Sequence, residues 1–154
     1  MSRSRFLPSS DGEERVPLFI DTNVIVANHS PRSSKHDEVR HVMTEIGTNE
    51  LPYYPLITNQ YVLDEVASLL LSRADVNVAQ EVVDRLLSSE SLQVLDVEPS
   101  LVDRAIEQFQ SYHDQSISIT DHVIAVQAGD YEVEHIFSYD SGFRTLGFSV
   151  IPYS

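Results

Sequence analysis

The sequence contains no cysteine, which excludes disulfide bonds, thiolate metal sites and a cysteine nucleophile. It also has no apolar run near the roughly eighteen residues that a membrane-spanning helix requires. Residues 1–15 lack an apolar segment of signal-peptide length. We therefore predict a cytoplasmic protein with no membrane partner.

Basic residues are scarce. Lysine and arginine together number 10 against 24 aspartates and glutamates, the formal net charge is −14, and Lys35 is the only lysine. Such a surface should repel nucleic acid at low salt. A halophilic host would explain both features, because the Debye length falls to about 3 Å in molar salt and the repulsion largely disappears. An ordinary acidic cytoplasmic protein remains the alternative.

Several common functional motifs are missing. The sequence has no GxGxxG, GxxxxGK[ST] or GxSxG pattern, so dinucleotide, P-loop and serine-hydrolase chemistry lack support. A receiver domain would need a lysine late in the chain, where there is none. The six histidines show no zinc-like spacing. We predict that His36 and His41 lie on a helix surface, and that His122 points away from its neighbour Asp121.

Hydrophobic periodicity predicts strands alternating with helices. The predicted strands are 16–20, 53–57, 92–97, 135–138 and 148–151. The predicted helices are 22–27, 36–46, 58–71, 76–87, 99–109, 123–128 and 141–146. Thr22 begins the first of them, and Thr120 is the predicted cap of helix 123–128. This alternation indicates an α/β domain over 16–154 with a parallel sheet and helices on both faces, preceded by a flexible arm at 1–15.

Four acids occupy comparable places in this scheme. Asp21 and Asp140 each end a strand, Asp121 begins a helix, and Glu65 lies at the edge of the apolar face of helix 58–71. Its neighbour Asp64 projects towards the polar side of that helix, where an acid is simply solvated. Each acid alone has a structural explanation, since helix N-termini favour negative charge.

Four converging carboxylates would raise each other's pKa values, and a divalent cation relieves that repulsion. Mg²⁺ accepts few carboxylates, keeps several waters and completes its coordination with phosphate oxygens. Such a centre can activate water and stabilise the leaving oxygen of a phosphodiester. The acids therefore predict metal-dependent phosphodiester hydrolysis.

The segments 19–24 (FIDTNV), 62–66 (VLDEV), 120–121 (TD) and 137–143 (FSYDSGF) resemble the successive motifs of PIN-domain nucleases. The resemblance covers about residues 17–152. It implies a PIN-like α/β/α sandwich with a five-stranded parallel sheet, and Mg²⁺- or Mn²⁺-dependent cleavage of RNA. A lone domain of this size is most similar to VapC-type toxins. That similarity implies a homodimer inhibited by a VapB-type antitoxin, and the apolar helices 58–71 and 76–87 could supply the dimer face.

The resemblance also implies residue roles. Asp21 and Asp121 would bind the metal directly, and Asp140 and Glu65 would complete the acidic cluster, with Asp140 a further candidate ligand, or orient water. Hydrogen bonds to these carboxylates are expected from Thr22, Asn23 and Ser138, and phosphate contacts from Arg32 and Arg144.

Two alternatives remain open at this point. A PIN fold can serve as a non-catalytic binding module, although a retired site need not keep all four acids. A PIN nuclease of RNA processing or quality control is the other alternative. Such nucleases usually carry a zinc ribbon or another appended domain, and this sequence has no cysteine for a ribbon.

Overall fold

The computed structural model describes residues 14–113 and 116–152. Most of the arm predicted at 1–15 therefore lies outside the described residues. Five strands and seven helices occupy the described ranges. The strands are β1 (Val16–Ile20), β2 (Tyr53–Asn59), β3 (Leu92–Leu95), β4 (His135–Phe137) and β5 (Ser149–Ile151). The helices are α1 (Thr22–His29), α2 (His36–Gly47), α3 (Gln60–Arg73), α4 (Val76–Ser88), α5 (Pro99–Ser111), α6 (Ile119–Asp130) and α7 (Gly142–Thr145).

The strands form one parallel sheet in the order β3-β2-β1-β4-β5. The central strand β1 is buried at its carboxyl end, where Leu18, Phe19 and Ile20 are at most 3% exposed. A strand covered on both faces needs a continuous apolar run rather than an alternating one, which is what this segment provides. The predicted five-stranded parallel sheet is confirmed.

The helices form two groups. In one group α1 packs on α2 and α3, and α3 packs on α4; in the other, α6 packs on α5 and α7. Because strand–helix–strand crossovers are right-handed, connections running from β1 to β3 place their helices on one face, and those returning to β4 and β5 use the other. The arrangement is the predicted α/β/α sandwich. No helix in the described ranges combines the length and apolarity needed to cross a membrane.

The direction of strand addition reverses between β1 and β4, which are neighbours at the centre of the sheet. Open parallel sheets bind ligands outside the carboxyl ends of their strands at such a switch point. Asp21 follows β1 directly, and Ser138 and Asp140 follow β4. The topology therefore brings two of the predicted acids to the same edge of the sheet.

Several predicted boundaries differ from the structure, and in two cases a capping side chain explains the difference. Helix α3 begins at Gln60 rather than Thr58, because Asn59 ends β2 and its side chain caps the helix by accepting from the backbone N–H of Val62 at 2.9 Å. Strand β3 ends at Leu95 rather than Val97. Helix α6 is capped by Ser118 rather than Thr120, which lies inside the helix.

A buried hydrogen-bonded chain joins the two helical layers above the ends of β2 and β3. The Asn59 Nδ2 donates to Gln127 Oε1 at 2.9 Å, and Gln127 Nε2 donates to the Asp96 carbonyl at 2.9 Å. Asn59 and Gln127 are at most 1% exposed. Since Asn59 caps α3 and Gln127 belongs to α6, this chain links the helices that carry Glu65 and Asp121.

We expect Gln127→Leu to lower the free energy of unfolding by at least about 2 kcal/mol. The substitution leaves the buried Asn59 amide without its acceptor, which costs about 1–3 kcal/mol, and removes the hydrogen bond to the Asp96 carbonyl, worth about 1 kcal/mol. Urea unfolding followed by circular dichroism measures the change. Gln93→Leu, at an exposed position of β3, is the matched control and should shift stability by no more than about 0.5 kcal/mol. Equal effects of the two substitutions would contradict the structural importance of this hydrogen-bonded chain.

Candidate active site

A groove of about 690 Å³ borders the residues that follow β1 and β4. All four predicted acids line this groove: Asp21, Glu65, Asp121 and Asp140. They come from four separate parts of the chain, so only the tertiary fold brings them together. Of the two predicted phosphate contacts, Arg32 lines the groove, whereas Arg144 is exposed in α7 and is not among the lining residues.

Asp21 is held by two hydrogen bonds at the start of α1. Its Oδ1 accepts from the backbone N–H of Thr22 at 2.7 Å, and its Oδ2 accepts from the Ser138 hydroxyl at 2.7 Å. Burial raises the pKa of Asp21 to about 6, and the charges of Asp140 and Glu65 add to this, while the two hydrogen bonds oppose it. Asp21 is thus both the N-cap of α1 and a carboxyl group whose charged form is made unfavourable by burial.

Asp121 lies in the first turn of α6 and forms a capping box with Ser118. The Ser118 backbone N–H donates to Asp121 Oδ2 at 3.0 Å, and the Asp121 N–H donates to Ser118 Oγ at 3.1 Å. Burial raises the pKa of Asp121 to about 7, with the negative charges of Asp140 and Asp21 adding to the shift. The capping box fixes the orientation of a carboxylate that lines the groove.

Asp140 is positioned by the turn that follows β4. Its Oδ1 accepts from the Gly142 N–H at 2.9 Å, and its own N–H donates to Ser138 Oγ at 2.9 Å. The Ser138 hydroxyl therefore connects Asp21 to the backbone of Asp140. Gly142 is required here, since a Cβ would lie 2.9 Å from Ile117 Cγ1 and 3.1 Å from Asp140 Oδ1.

The neighbours Glu65 and Asp64 separate as their helical positions predict. Glu65 is half-buried and lines the groove, whereas Asp64 is exposed and is not among the lining residues. The charge of Glu65 also contributes to the raised pKa of Asp21.

The predicted carboxylate-orienting residues differ in what they do. Ser138 makes the predicted contact with Asp21. Thr22 contacts Asp21 through its backbone N–H, and its side-chain Oγ1 is buried without a hydrogen-bond partner among the described residues. The Asn23 Oδ1 accepts from the Tyr139 N–H at 3.2 Å, so this residue holds the segment before Asp140 rather than a carboxylate.

The histidines lie outside the groove lining. His41 is exposed and pairs with Glu45, as a surface residue would. His36 is half-buried, and its Nδ1 lies 2.7 Å from the Ala27 carbonyl, which corrects the prediction of a helix-surface position. His122 is fully buried against Phe109 and Tyr112 and so points away from the groove that Asp121 lines.

The acids suit a hard divalent cation completed by water and substrate. In the described ranges no three His, Asp or Glu side chains converge closely enough to form a ready-made metal cage. Mg²⁺ commonly uses only one or two carboxylates and fills its other positions with waters and phosphate oxygens. Two buried carboxylates with raised pKa values and the unpartnered Thr22 Oγ1 beside them provide oxygen donors of that kind.

Comparison with models of protein families identifies the family of this chain. The model of the PIN domain matches residues 18–149, which is most of the chain. The chain belongs to the PIN-domain family. Comparison with curated protein sequences found no match.

Several solved structures share this fold. The toxin VapC20 of Mycobacterium tuberculosis, which cleaves the sarcin-ricin loop, superposes with a TM-score of 0.74 at 19% identity over 85% of this chain and 95% of that one. FitAcB of Neisseria gonorrhoeae gives 0.63 at 18% identity, covering 86% and 95%. VapBC2 of Rickettsia felis, bound to a promoter DNA fragment, gives 0.60 at 16%, covering 88% and 97%.

The PIN-domain groove contains residues that sequence reasoning did not select, notably Lys35, Arg73 and Ser118. Ser118 stands three residues before Asp121, which is the spacing of a capping box and could have identified it. Lys35 is the only lysine in the chain, but this does not indicate where in the fold it lies. Nothing in the local sequence of Arg73 indicates that the end of α3 borders the groove.

Proposed function

We propose that this PIN domain is a Mg²⁺- or Mn²⁺-dependent endoribonuclease of the VapC type. The observation that carries the proposal is the meeting of Asp21, Glu65, Asp121 and Asp140 in one groove at the switch point of the sheet. Two of these carboxyl groups are so placed that burial raises their pKa values to about 6 and about 7. Ionising such buried carboxyl groups costs free energy, and a bound cation would offset that cost, as is common at functional sites.

The residues have distinct roles in this proposal. Asp21 and Asp121 would bind the cation directly, with Asp140 as a further ligand and Glu65 orienting water. When bound, the cation would supply Lewis-acid activation of water and charge stabilisation at the leaving oxygen of the phosphodiester. Ser138 fixes Asp21 relative to the turn that carries Asp140, and Ser118 fixes Asp121.

Substrate contacts are expected beside the acids. Arg32 lines the same groove and is placed to meet a phosphate of bound RNA. Arg144 is exposed two residues after Gly142, so it would contact RNA only where the substrate extends past Asp140 and out of the groove.

We also propose a toxin role with a VapB-type antitoxin partner. Support comes from neighbours of the same fold that include a toxin–antitoxin complex from Klebsiella pneumoniae, and VapBC2 and FitAcB. A homodimer would use α3 and α4, where Leu71, Val76 and Leu87 are each more than half exposed. Apolar side chains this exposed at both ends of α4 fit a protein interface.

Cleavage of RNA by the purified protein tests the activity. Total RNA and a sarcin-ricin loop oligonucleotide are incubated with Mg²⁺, Mn²⁺ or EDTA, in 0.1 and 2 M KCl because of the net charge of −14. We expect fragments with either metal and none with EDTA. A protein that binds RNA but never cuts it under these conditions would be a binding module, and the nuclease proposal would then be wrong.

A further inference from the structure

Three basic side chains line the same groove as the acids, and they come from two separate places in the chain. Arg32 lies in the loop between α1 and α2, Lys35 stands at the start of α2, and Arg73 is the last residue of α3. We propose that these three residues, the cation rim, bind backbone phosphates that flank the cleaved bond. This inference rests on the proposed RNA cleavage at the same groove.

Two members of the cation rim have no acidic partner. Among the described residues Arg32 and Arg73 form no ion pair, although acids outnumber basic residues 24 to 10 in the whole chain. Elsewhere on the surface Arg85 pairs with Glu81 and Arg104 pairs with Asp130. Arginines outside the groove, such as Arg144, can also lack an ion pair within the described ranges, so the missing partner alone identifies no site. In a chain this acidic, the gathering of two unpaired arginines in one groove indicates a site for an external anion.

Lys35 occupies a position that helix stability does not explain. It is the N-cap of α2 and makes no side-chain capping bond there, although this position favours Ser, Thr, Asp or Asn. A cation at a helix N-terminus is also repelled by the helix dipole. Such departures from local preference concentrate at functional sites.

The side chain of Lys35 packs on the residue that precedes Asp140. Its ammonium lies 4.8 Å from the centre of the Tyr139 ring, a cation–π distance. Tyr139 is itself fixed, because its hydroxyl donates to Glu38 and its N–H donates to Asn23. Since Tyr139 immediately precedes Asp140 and both line the groove, this packing holds the only lysine against the segment that carries one of the four acids.

Arg73 extends the cation rim away from the acids. A cation at the end of a helix stabilises the C-terminus, so its charge alone would not identify a site. Glu65 lies eight residues earlier on the same helix, and both residues line the groove. At 1.5 Å per residue their backbones are about 12 Å apart, which places Arg73 beyond the cleaved phosphate and beside a flanking one.

A nucleic-acid strand matches this layout better than an acidic peptide does. Its phosphates repeat along the chain. One phosphate can therefore contact a metal ion bound by the acids while neighbouring phosphates contact the cation rim. Val26 and Leu69 line the same groove and offer apolar contact to sugars or bases. Arginine also recognises phosphate with paired hydrogen bonds.

Binding measured in EDTA tests the cation rim without cleavage. The dissociation constant of a fluorescent single-stranded RNA is measured against KCl concentration for wild type, for Arg32→Gln, Lys35→Gln and Arg73→Gln singly, and for the triple variant. Each lost phosphate contact should reduce the slope of log K against log salt by about 0.7, or about 2 for the triple variant. Arg40→Gln removes the same charge outside the groove and should leave the slope unchanged.

Cleavage kinetics provide the second readout. Variants of the cation rim should raise KM several-fold and leave kcat within about twofold of wild type, because they remove binding to flanking phosphates rather than contacts to the reacting atoms. Unchanged salt slopes, or an equal effect of Arg40→Gln, would overturn the proposal while leaving the nuclease intact. Polyglutamate that competes as well as RNA of equal charge would also overturn it.

Discussion

Replacing Asp21 with Asn should lower metal-dependent RNA cleavage by more than about a hundredfold. Asn has almost the same shape and can still cap α1, but it carries no charge for a cation. Losing even a group that only orients a metal ligand costs about 10–100-fold, so losing a ligand should cost more. Initial rates with Mn²⁺ on a defined RNA measure the change.

The control for this substitution is Asp64→Asn. Asp64 is exposed and lies outside the groove, so removing its charge changes the net charge equally without touching the site. Its cleavage rate should stay within about twofold of wild type, the small change expected when only a solvated charge is lost. A folded Asp21→Asn protein with wild-type activity would contradict the role of Asp21.

The same Asp21→Asn substitution should stabilise the metal-free protein at neutral and alkaline pH. The pKa of Asp21 is raised from 3.8 to about 6 in the folded state, chiefly by burial. Well below the unfolded pKa of 3.8 the carboxyl is protonated whether the chain is folded or not, so the residue then carries no charge that burial could penalise. Above about pH 6 the folded state must hold an unfavourable charge, which costs up to about 3 kcal/mol.

The ionisation of Asp21 should therefore lower the stability of wild type as pH rises from 4 to 7. The Asp21→Asn variant should lack this decrease, because its side chain does not ionise. Urea unfolding in EDTA at pH 4, 6 and 8 measures the difference between the two proteins. We expect the variant to be within about 0.5 kcal/mol of wild type at pH 4 and to be more stable by about 1–3 kcal/mol at pH 8. A variant that is less stable at pH 8 would indicate that Asp21 acts mainly as a cap.

Much of the fold could be predicted because its sequence signals are local. The apolar run at 18–20 that ends in Asp21 identifies a buried strand, and the 3.6-residue spacing in α2 and α4 identifies amphipathic helices. The same spacing separated Glu65 from Asp64 on α3. Boundaries failed where a polar side chain decided them, as when Asn59 ended β2 and capped α3.

The contacts that complete the site are tertiary, and no local pattern reveals them. The Ser138 hydroxyl reaches Asp21 from a point 117 residues away in the chain. His36 has the sequence context of a surface residue, yet the packing of α2 on α1 turns its ring to the Ala27 carbonyl. Arg73 reaches the groove only because α3 runs alongside it. Contacts between residues this far apart in the sequence become visible only in the folded structure.

Mn²⁺ binding to the metal-free protein tests the central claim most directly. Titration calorimetry at pH 8, where the carboxyl groups of Asp21 and Asp121 are ionised, compares wild type with Asp121→Asn and with Asp64→Asn. We expect wild type and Asp64→Asn to bind Mn²⁺ with equal affinity, and Asp121→Asn to bind at least about tenfold more weakly. Absence of binding by wild type, or equal binding by Asp121→Asn, would contradict a metal centre built from these acids.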